Sequence, residues 1–520
     1  MTLLLWVAGL ALAFALASTL ALYSYGRFAR RSRGPVSHAL PRATDATALD
    51  RLIGPLESRH PGRSGLALVL DNAEALGLMV RSARLAGRSL DLMYYIWRDD
   101  TGGRLIAREL IAAADRGVRV RLLLDDVNVQ GFDPKFIALD KHPRIEVRLF
   151  NPIRARRGMI GRGIEMLLGL VRFNRRMHCK LWLADGRLAM TGGRNIGSIY
   201  LANNGRRPVS CDADLLMLGK LVQESESFFD RYWNSGIALP MTALWKYSPL
   251  ALGRLRARLD REARGATAQA MLGAIDPVMA GHLPADAGGL PLLPPAGRLH
   301  WTERARMLSD PPEKALGHGR DRWLPEALYP ALAGARRSLH IVTPYFVPGR
   351  EGMTQLAGLA RRGVAVRIVT NALAATDHAI VHGAYRRYRR PLLAAGASLY
   401  EFVPGTSEGR QPEMLHSKLF VADDAACFVG SFNFDLRSAF LNTEMGIYSE
   451  DPGLVAEVLA ECNRLSAPER AWRLRLDGRV LRWQRAEDGS ATAEFRDPEA
   501  PALRRGASWV IGHLPIHSQL

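Results

Sequence analysis

Met177-His-Cys-Lys-Leu-Trp-Leu-Ala-Asp-Gly-Arg-Leu-Ala-Met-Thr-Gly-Gly-Arg-Asn195 returns at matched spacing as Leu415-His-Ser-Lys-Leu-Phe-Val-Ala-Asp-Asp-Ala-Ala-Cys-Phe-Val-Gly-Ser-Phe-Asn433. Apolar residues alternate along both copies, so each reads as a strand on which His and Lys, two apart, share a face. Asp185 and Asp423 lie an odd number of positions from their histidines and point away, as structural or turn residues do. Asp185-Gly186 is a hairpin signal. A two-residue turn there sets Lys180 opposite Thr191 and His178 opposite Gly193, with Asn195 just beyond; in the second copy His416 falls opposite Ser431. Small residues facing each histidine leave room for a phosphate.

A phosphodiester repels nucleophiles, and its leaving alkoxide is too basic to depart unprotonated. Lys180, Lys418, Asn195, Asn433 and Ser431 supply charge and hydrogen bonds for the phosphate oxygens. Of the two histidines, one can attack phosphorus while the other protonates the departing oxygen. Each needs a partner to fix its tautomer. Glu444 is the candidate for His416, and Asp212, with Asp214 as alternate, the candidate for His178.

The duplication extends outward. Ser89-Leu-Asp-Leu-Met-Tyr-Tyr-Ile96 answers Ser338-Leu-His-Ile-Val-Thr-Pro-Tyr345, and each leads through a helix to Arg-Gly-Val-x-Val-Arg, at 116–121 and 362–367. Gly stops the helix there and alternating valines begin a strand, giving a βαβ unit in each half. Third strands are expected at Ile145–Phe150 and Ser398–Val403. Pro/Gly-rich stretches at Gly288–Gly297 and Pro311-Pro312 fall in the connection, and Leu474–Trp483, split by Asp477-Gly478, suggests a terminal hairpin.

At 520 residues two domains are expected, and a formal charge of +19 favours an anionic partner. Leu3–Leu22 carries no charge and is long enough to cross a bilayer, with Trp6, Tyr23 and Tyr25 near its ends and Arg27, Arg30, Arg31 and Arg33 following. This reads as an anchor with the body on the cytoplasmic side. The competing reading is a signal peptide cleaved near Ala15-Leu16-Ala17. The four cysteines show no metal-ligand spacing, so buried thiols, no metal and no cofactor are expected.

Twenty-seven residues separate Phe150 from His178, against 13 between Phe402 and His416. This insertion holds Arg154, Arg156, Arg157, Arg162, Arg172, Arg175 and Arg176, with Ile160, Ile164, Leu167, Leu168 and Val171 at helical spacing. It reads either as a basic amphipathic helix on an anionic leaflet or as a docked surface helix. Tyr385-Arg-Arg-Tyr-Arg-Arg390 reads as a phospholipid-headgroup site in preference to a nucleic-acid groove.

The paired motif resembles the phospholipase D superfamily, whose motif residues map onto His178, Lys180, Asp185, His416, Lys418 and Asp423. Tyr94–Arg104, Leu122–Asp126, Gly192–Gly197 and Thr370–Asp377 through Tyr385 look like bacterial cardiolipin synthases of the C-type branch. Gly193 stands where many members have Ser, and Ser198 where an acid often follows. The resemblance implies an α/β fold of two tandem phospholipase D-like domains, mixed sheets flanked by helices and related by a pseudo-twofold axis, behind an N-terminal transmembrane helix. The expected boundaries are an anchor at 1–34, a first domain at 35–240 with the insertion at 153–176, a connection at 241–322, a second domain at 323–455 and an extension at 456–520. It further implies metal-independent phosphatidyl transfer at the bacterial inner membrane, from phosphatidylglycerol or phosphatidylethanolamine to phosphatidylglycerol through phosphohistidine. No nucleic-acid partner is expected, and no protein partner is indicated. Hydrolytic phospholipase D, an anchored nuclease and a non-enzymatic membrane module are the competing classes.

Overall fold

The computed structural model describes residues 1–520 except 130, 157, 203–207, 246–249, 285–290, 405–411, 488–489 and 513–520. Three strands in each half, Ser89–Tyr94, Arg119–Asp125 and Ile145–Phe150, then Ser338–Val342, Ala365–Asn371 and Ser398–Phe402, pair in parallel within a mixed sheet, with antiparallel strands on either side. Their apolar runs are buried on both faces, as parallel strands covered by crossover helices require. Gly117 and Gly363 end the crossover helices Thr101–Asp115 and Gly349–Arg361 with φ of 96° and 87°, a left-handed conformation that a side chain would strain.

Antiparallel strands complete both sheets in matching order. The motif hairpin, Leu181–Ala184 with Leu188–Gly192, lies beside Ser89–Tyr94, and Leu419–Ala422 with Ala426–Gly430 lies beside Ser338–Val342. The connection joins both sheets: His300–Thr302 pairs on the first and Ala305–Ser309 on the second. Its helices Leu252–Ala263 and Ile275–Met279 pack on the core of the first half. Residues 288–290 of its Pro/Gly-rich stretch lie outside the described residues. The tail adds Ala471–Asp477, Val480–Glu487 and Ser490–Glu494 to the edge of the second sheet, then the helix Ala502–Gly512.

The hairpin register differs from the two-residue expectation. Asp185 and Gly186 both take positive φ, 52° and 65°, but the ladder closes at Ala184 with Leu188, leaving Arg187 as an additional loop residue. Each pair is displaced by one, so Thr191 faces Leu181. The second copy does the same, with Ala422 opposite Ala426. Regular strand begins only at Leu181 and Leu419, and the His-x-Lys segments precede it in irregular extended backbone. Glycine therefore comes level with the lysines, Gly430 N bonding Lys418 O at 3.4 Å, instead of Gly193 and Ser431 with the histidines.

One core spans the two halves. Leu66, Met93, Leu123 and Phe150 pack in a single cluster with Val342, Val369, Phe402, Leu415 and Val455. Such an interface is continuous interior, which fixes the halves rigidly against each other.

Candidate active site

The two histidines meet where the halves abut, and the backbone decides which carboxylate each receives. His178 N donates to Thr443 O at 2.9 Å, placing Glu444 beside it; His416 N donates to Cys211 O at 2.8 Å, placing Asp212 beside it. Val209–Cys211 and Glu413–Leu415 reinforce this as a parallel pair. His178 Nδ1 accordingly lies 2.8 Å from Glu444 Oε2, and His416 Nδ1 lies 2.7 Å from Asp212 Oδ2. The expected assignment within each half is reversed: both partners come from the opposite half. Asp214, the alternate, instead pairs with the buried Arg194 at 2.5 Å.

Polar ties on the preceding residue aim both histidines. Asp125, ending a parallel strand and paired with Arg176 at 3.0 Å, accepts Met177 N at 2.9 Å. Asn371, at the corresponding strand end, accepts Leu415 N at 3.1 Å and donates to Leu415 O at 2.9 Å. With Nδ1 engaged in each ring, Nε2 is the nitrogen left for chemistry.

Lys180 and Lys418 are buried, and each Nζ bonds the carbonyl of its own histidine, Lys180 at 2.6 Å. Burial pushes Lys180 down to about 7 and Lys418 to about 8, against the pull of Glu444 and Asp212. Burial also holds His178 well below the ordinary histidine range, helped by Lys180, Lys418 and His416. His416 is lowered too, by burial and Lys418, while Asp212 acts the other way. Asn195 Oδ1 accepts Ile96 N at 3.1 Å, which leaves Nδ2 buried without a partner, and Asn433 Oδ1 is likewise buried and unpaired. The buried Asn195 N–H donor suits an anion, as the two lysines do, whereas the Asn433 oxygen is an acceptor.

The two carboxylates are not alike. Burial raises Glu444 to about 7 despite Lys180 and hydrogen bonds from Ser431 and Ser438. Burial would raise Asp212 as well, but His416, Lys418 and Arg194 outweigh it and hold the group far below the usual carboxylate range. Gly193 is part of this difference. A Cβ there would lie 2.0 Å from Asp212 Oδ1, so the serine common at this position has no space, and that oxygen has no hydrogen-bond partner.

Asp185 and Asp423 are engaged in backbone hydrogen bonds and not with the histidines. Asp185 accepts the backbone N–H groups of Gly87, Arg88 and Ser89 at 2.7–2.9 Å, and Asp423 those of Arg336, Arg337 and Ser338 at 2.6–3.0 Å. Each clamps the entry of the neighbouring parallel strand to the motif hairpin. Aromatic neighbours escaped the sequence reading as site residues: Tyr95 meets His178 edge-on at 4.8 Å with Lys180 over its ring, and Tyr200 lies 5.6 Å from His416. Their positions, after the first parallel strand and five residues past Asn195, were the available signal.

The Tyr385–Arg390 cluster is split, with Arg387 and Arg390 exposed and the rest turned inward. Tyr385, Tyr388 and Arg389 are buried. The one group of three potential metal ligands among the described residues, His382, Glu401 and Asp497, surrounds the Arg389 guanidinium, whose Nη2 lies 2.7 Å from Glu401 and 2.6 Å from Asp497. An arginine already supplies the cation there.

Paired histidine–lysine hairpins that meet across a pseudo-dyad are the fold and site of a two-lobed phospholipase D-type enzyme. A family model described as cardiolipin synthase, phospholipase D-like domain, matches residues 79–233 and 328–466. The chain is 39% identical to cardiolipin synthase C of Escherichia coli (strain K12) over 83% of its length and 90% of that protein. It is 27% identical to cardiolipin synthase 1 of Bacillus cereus, over 74% of this chain and 62% of that one. Phosphatidylserine synthase of Haemophilus influenzae Rd KW20 shares the fold, with TM-score 0.55 and 14% identity over 81% of this chain and 92% of that one. The chain belongs to the cardiolipin synthase family of phospholipase D-like proteins.

Proposed function

We propose that this enzyme makes cardiolipin by phosphatidyl transfer, from phosphatidylglycerol or phosphatidylethanolamine to phosphatidylglycerol, at the bacterial inner membrane with its catalytic halves in the cytoplasm. The observation that carries the reading is the pair of Nδ1-tethered histidines, whose Nε2 atoms are left for chemistry, together with Lys180, Lys418 and the unpaired Asn195 Nδ2. His178, the more strongly held neutral, attacks phosphorus through Nε2. The bond from phosphorus to the headgroup oxygen breaks, and His416 passes its Nε2 proton to that oxygen. The ionised Asp212 supports the imidazolium that this requires.

The glycerol hydroxyl of phosphatidylglycerol then attacks the phosphohistidine while His416 takes its proton. The P–N bond breaks, and both histidines return to their starting forms. Lysines and amides hold the two phosphate oxygens in both steps. The motif residues, the resemblance to named cardiolipin synthases and the apolar N-terminal helix, one candidate span at Leu4–Arg31, all support this reading. Mass spectrometry of products from vesicles of defined phosphatidylglycerol, with and without phosphatidylethanolamine, tests it. Cardiolipin with release of glycerol or ethanolamine is expected, and phosphatidic acid alone would replace synthesis by hydrolysis.

A further inference from the structure

The insertion between the third parallel strand and His178 forms two short helices, Met159–Leu168 and Leu170–Phe173. Most of its arginines are drawn into pairs and caps instead of forming the basic face expected from sequence. Arg156 pairs with Asp126 and Asp133, Arg176 with Asp125, and Arg154 with Glu165. Arg172 bonds Asn151, and Arg175 caps the carbonyls of Lys314 and Phe440. Arg157 lies outside the described residues. What faces outward is apolar: Ile160 is 81% exposed, Ile164 54%, Leu167 56% and Val171 77%, one stripe at helical spacing. A patch of this kind on a folded protein marks a contact surface.

The anchor identifies what covers it. The helix Thr2–Arg31 runs unbroken past Ala15–Ala17, and its last turns are built into the insertion. Tyr25 OH donates to Pro152 O at 2.6 Å, its ring meets Phe173 edge-on at 5.6 Å, and the Arg172 guanidinium lies 4.0 Å from the ring centre. Arg154 bonds Ser24 at 3.1 Å, and Tyr25 and Ala29 are buried with Ile153, Phe173 and Leu239. The exposed stripe therefore begins where the membrane-crossing segment ends.

We infer that the insertion is a lip of the catalytic cleft seated in the lipid bilayer, holding it by apolar burial and not by charge. Four residues separate Phe173 from His178, and Arg437 ties Asn174 among them at 2.8 Å. The lip therefore joins the bilayer surface to the attacking histidine through a short, braced segment. The substrate side of this inference rests on the phosphatidyl-transfer reading; the membrane contact does not.

The full chain in vesicles of phosphatidylglycerol and phosphatidylethanolamine is the test. A photoreactive p-benzoylphenylalanine in place of Ile160 or Val171 should crosslink to lipid, whereas one in place of Ser58, exposed near the hairpin turn away from the histidines, should not. Crosslinking should persist in ~1 M salt, where exposed charge pairing is screened. No excess over Ser58, or loss of crosslinking in salt, overturns the inference; neither arm needs turnover, so failure of the reaction assignment is read separately. In a second arm, I160S, I164S, L167S and V171S combined should slow transfer on long-chain vesicles on the order of a hundredfold. It should leave a water-soluble short-chain phosphatidylglycerol within about twofold. Equal losses on both substrates would count against a membrane role.

Discussion

Replacing Asp212 by Asn separates the two histidines by function. The carboxylate accepts from His416 Nδ1 at 2.7 Å and is surrounded by Lys418 and Arg194, with Ser210 donating at 3.0 Å. An amide of the same shape cannot stabilise imidazolium and can bind the wrong tautomer. Loss of a buried charge-assisted pair costs about 3–5 kcal/mol, a factor on the order of 10²–10⁴ in kcat. If His416 is the acid, that loss concerns the leaving oxygen. A phosphatidyl ester of p-nitrophenol, whose leaving group departs without a proton, should recover formation of phosphohistidine to within about tenfold of wild type. The assay is single-turnover release of alcohol against nitrophenolate by rapid quench. Equal losses for both leaving groups would refute the assignment of His416 as proton donor. Stability gives an independent check on sign. Asp212 is depressed below its ordinary 3.8, so it favours the fold above that pH and loses its contribution as pH falls through the lower folded value. The stability gap between wild type and D212N should therefore close in acid.

Lys180 and Lys418 must be charged to hold phosphate oxygens, so kcat/KM should decline as pH rises through the region of about 7 to about 8, and a flat profile to about pH 9 would contradict this. D185A removes the acceptor of three backbone N–H groups and should lower stability by about 2–4 kcal/mol in denaturant titration, while leaving activity per folded molecule within about twofold. S431A takes a donor from Glu444 and an acceptor from Met445 N; a loss of about 1–2 kcal/mol in transition-state stabilisation is expected from kcat, with KM little changed. G193A should misplace Asp212 and resemble D212N in its leaving-group dependence, since its Cβ enters the carboxylate.

Motif and βαβ order were legible because they depend on local periodicity and on a duplication that states the pattern twice. The carboxylate partners were legible as residues but not as pairs. His178 and Glu444 are 266 positions apart and His416 and Asp212 204, and only the docking of one half on the other decides which meets which. The arginines of the insertion looked like a solvent-facing charge stripe because their acids, Asp125, Asp126 and Asp133, precede them across a whole strand and turn. Arg389 was hidden in the same way by Glu401 and Asp497. The hairpin register turned on one residue, Arg187, which the Asp-Gly signal places in the ladder and the backbone leaves in the loop.

The exchange of carboxylates across the interface also bears on ancestry. Two identical copies facing each other about a dyad would complete both half-sites, but symmetry would give their histidines the same affinity for a proton. Once joined in one polypeptide, the copies could drift apart. The halves differ in this way at glycine 193 against serine 431, and at aspartate 212 against glutamate 444. A heritable difference between the halves is what a division of labour between the two histidines, as proposed above, would require.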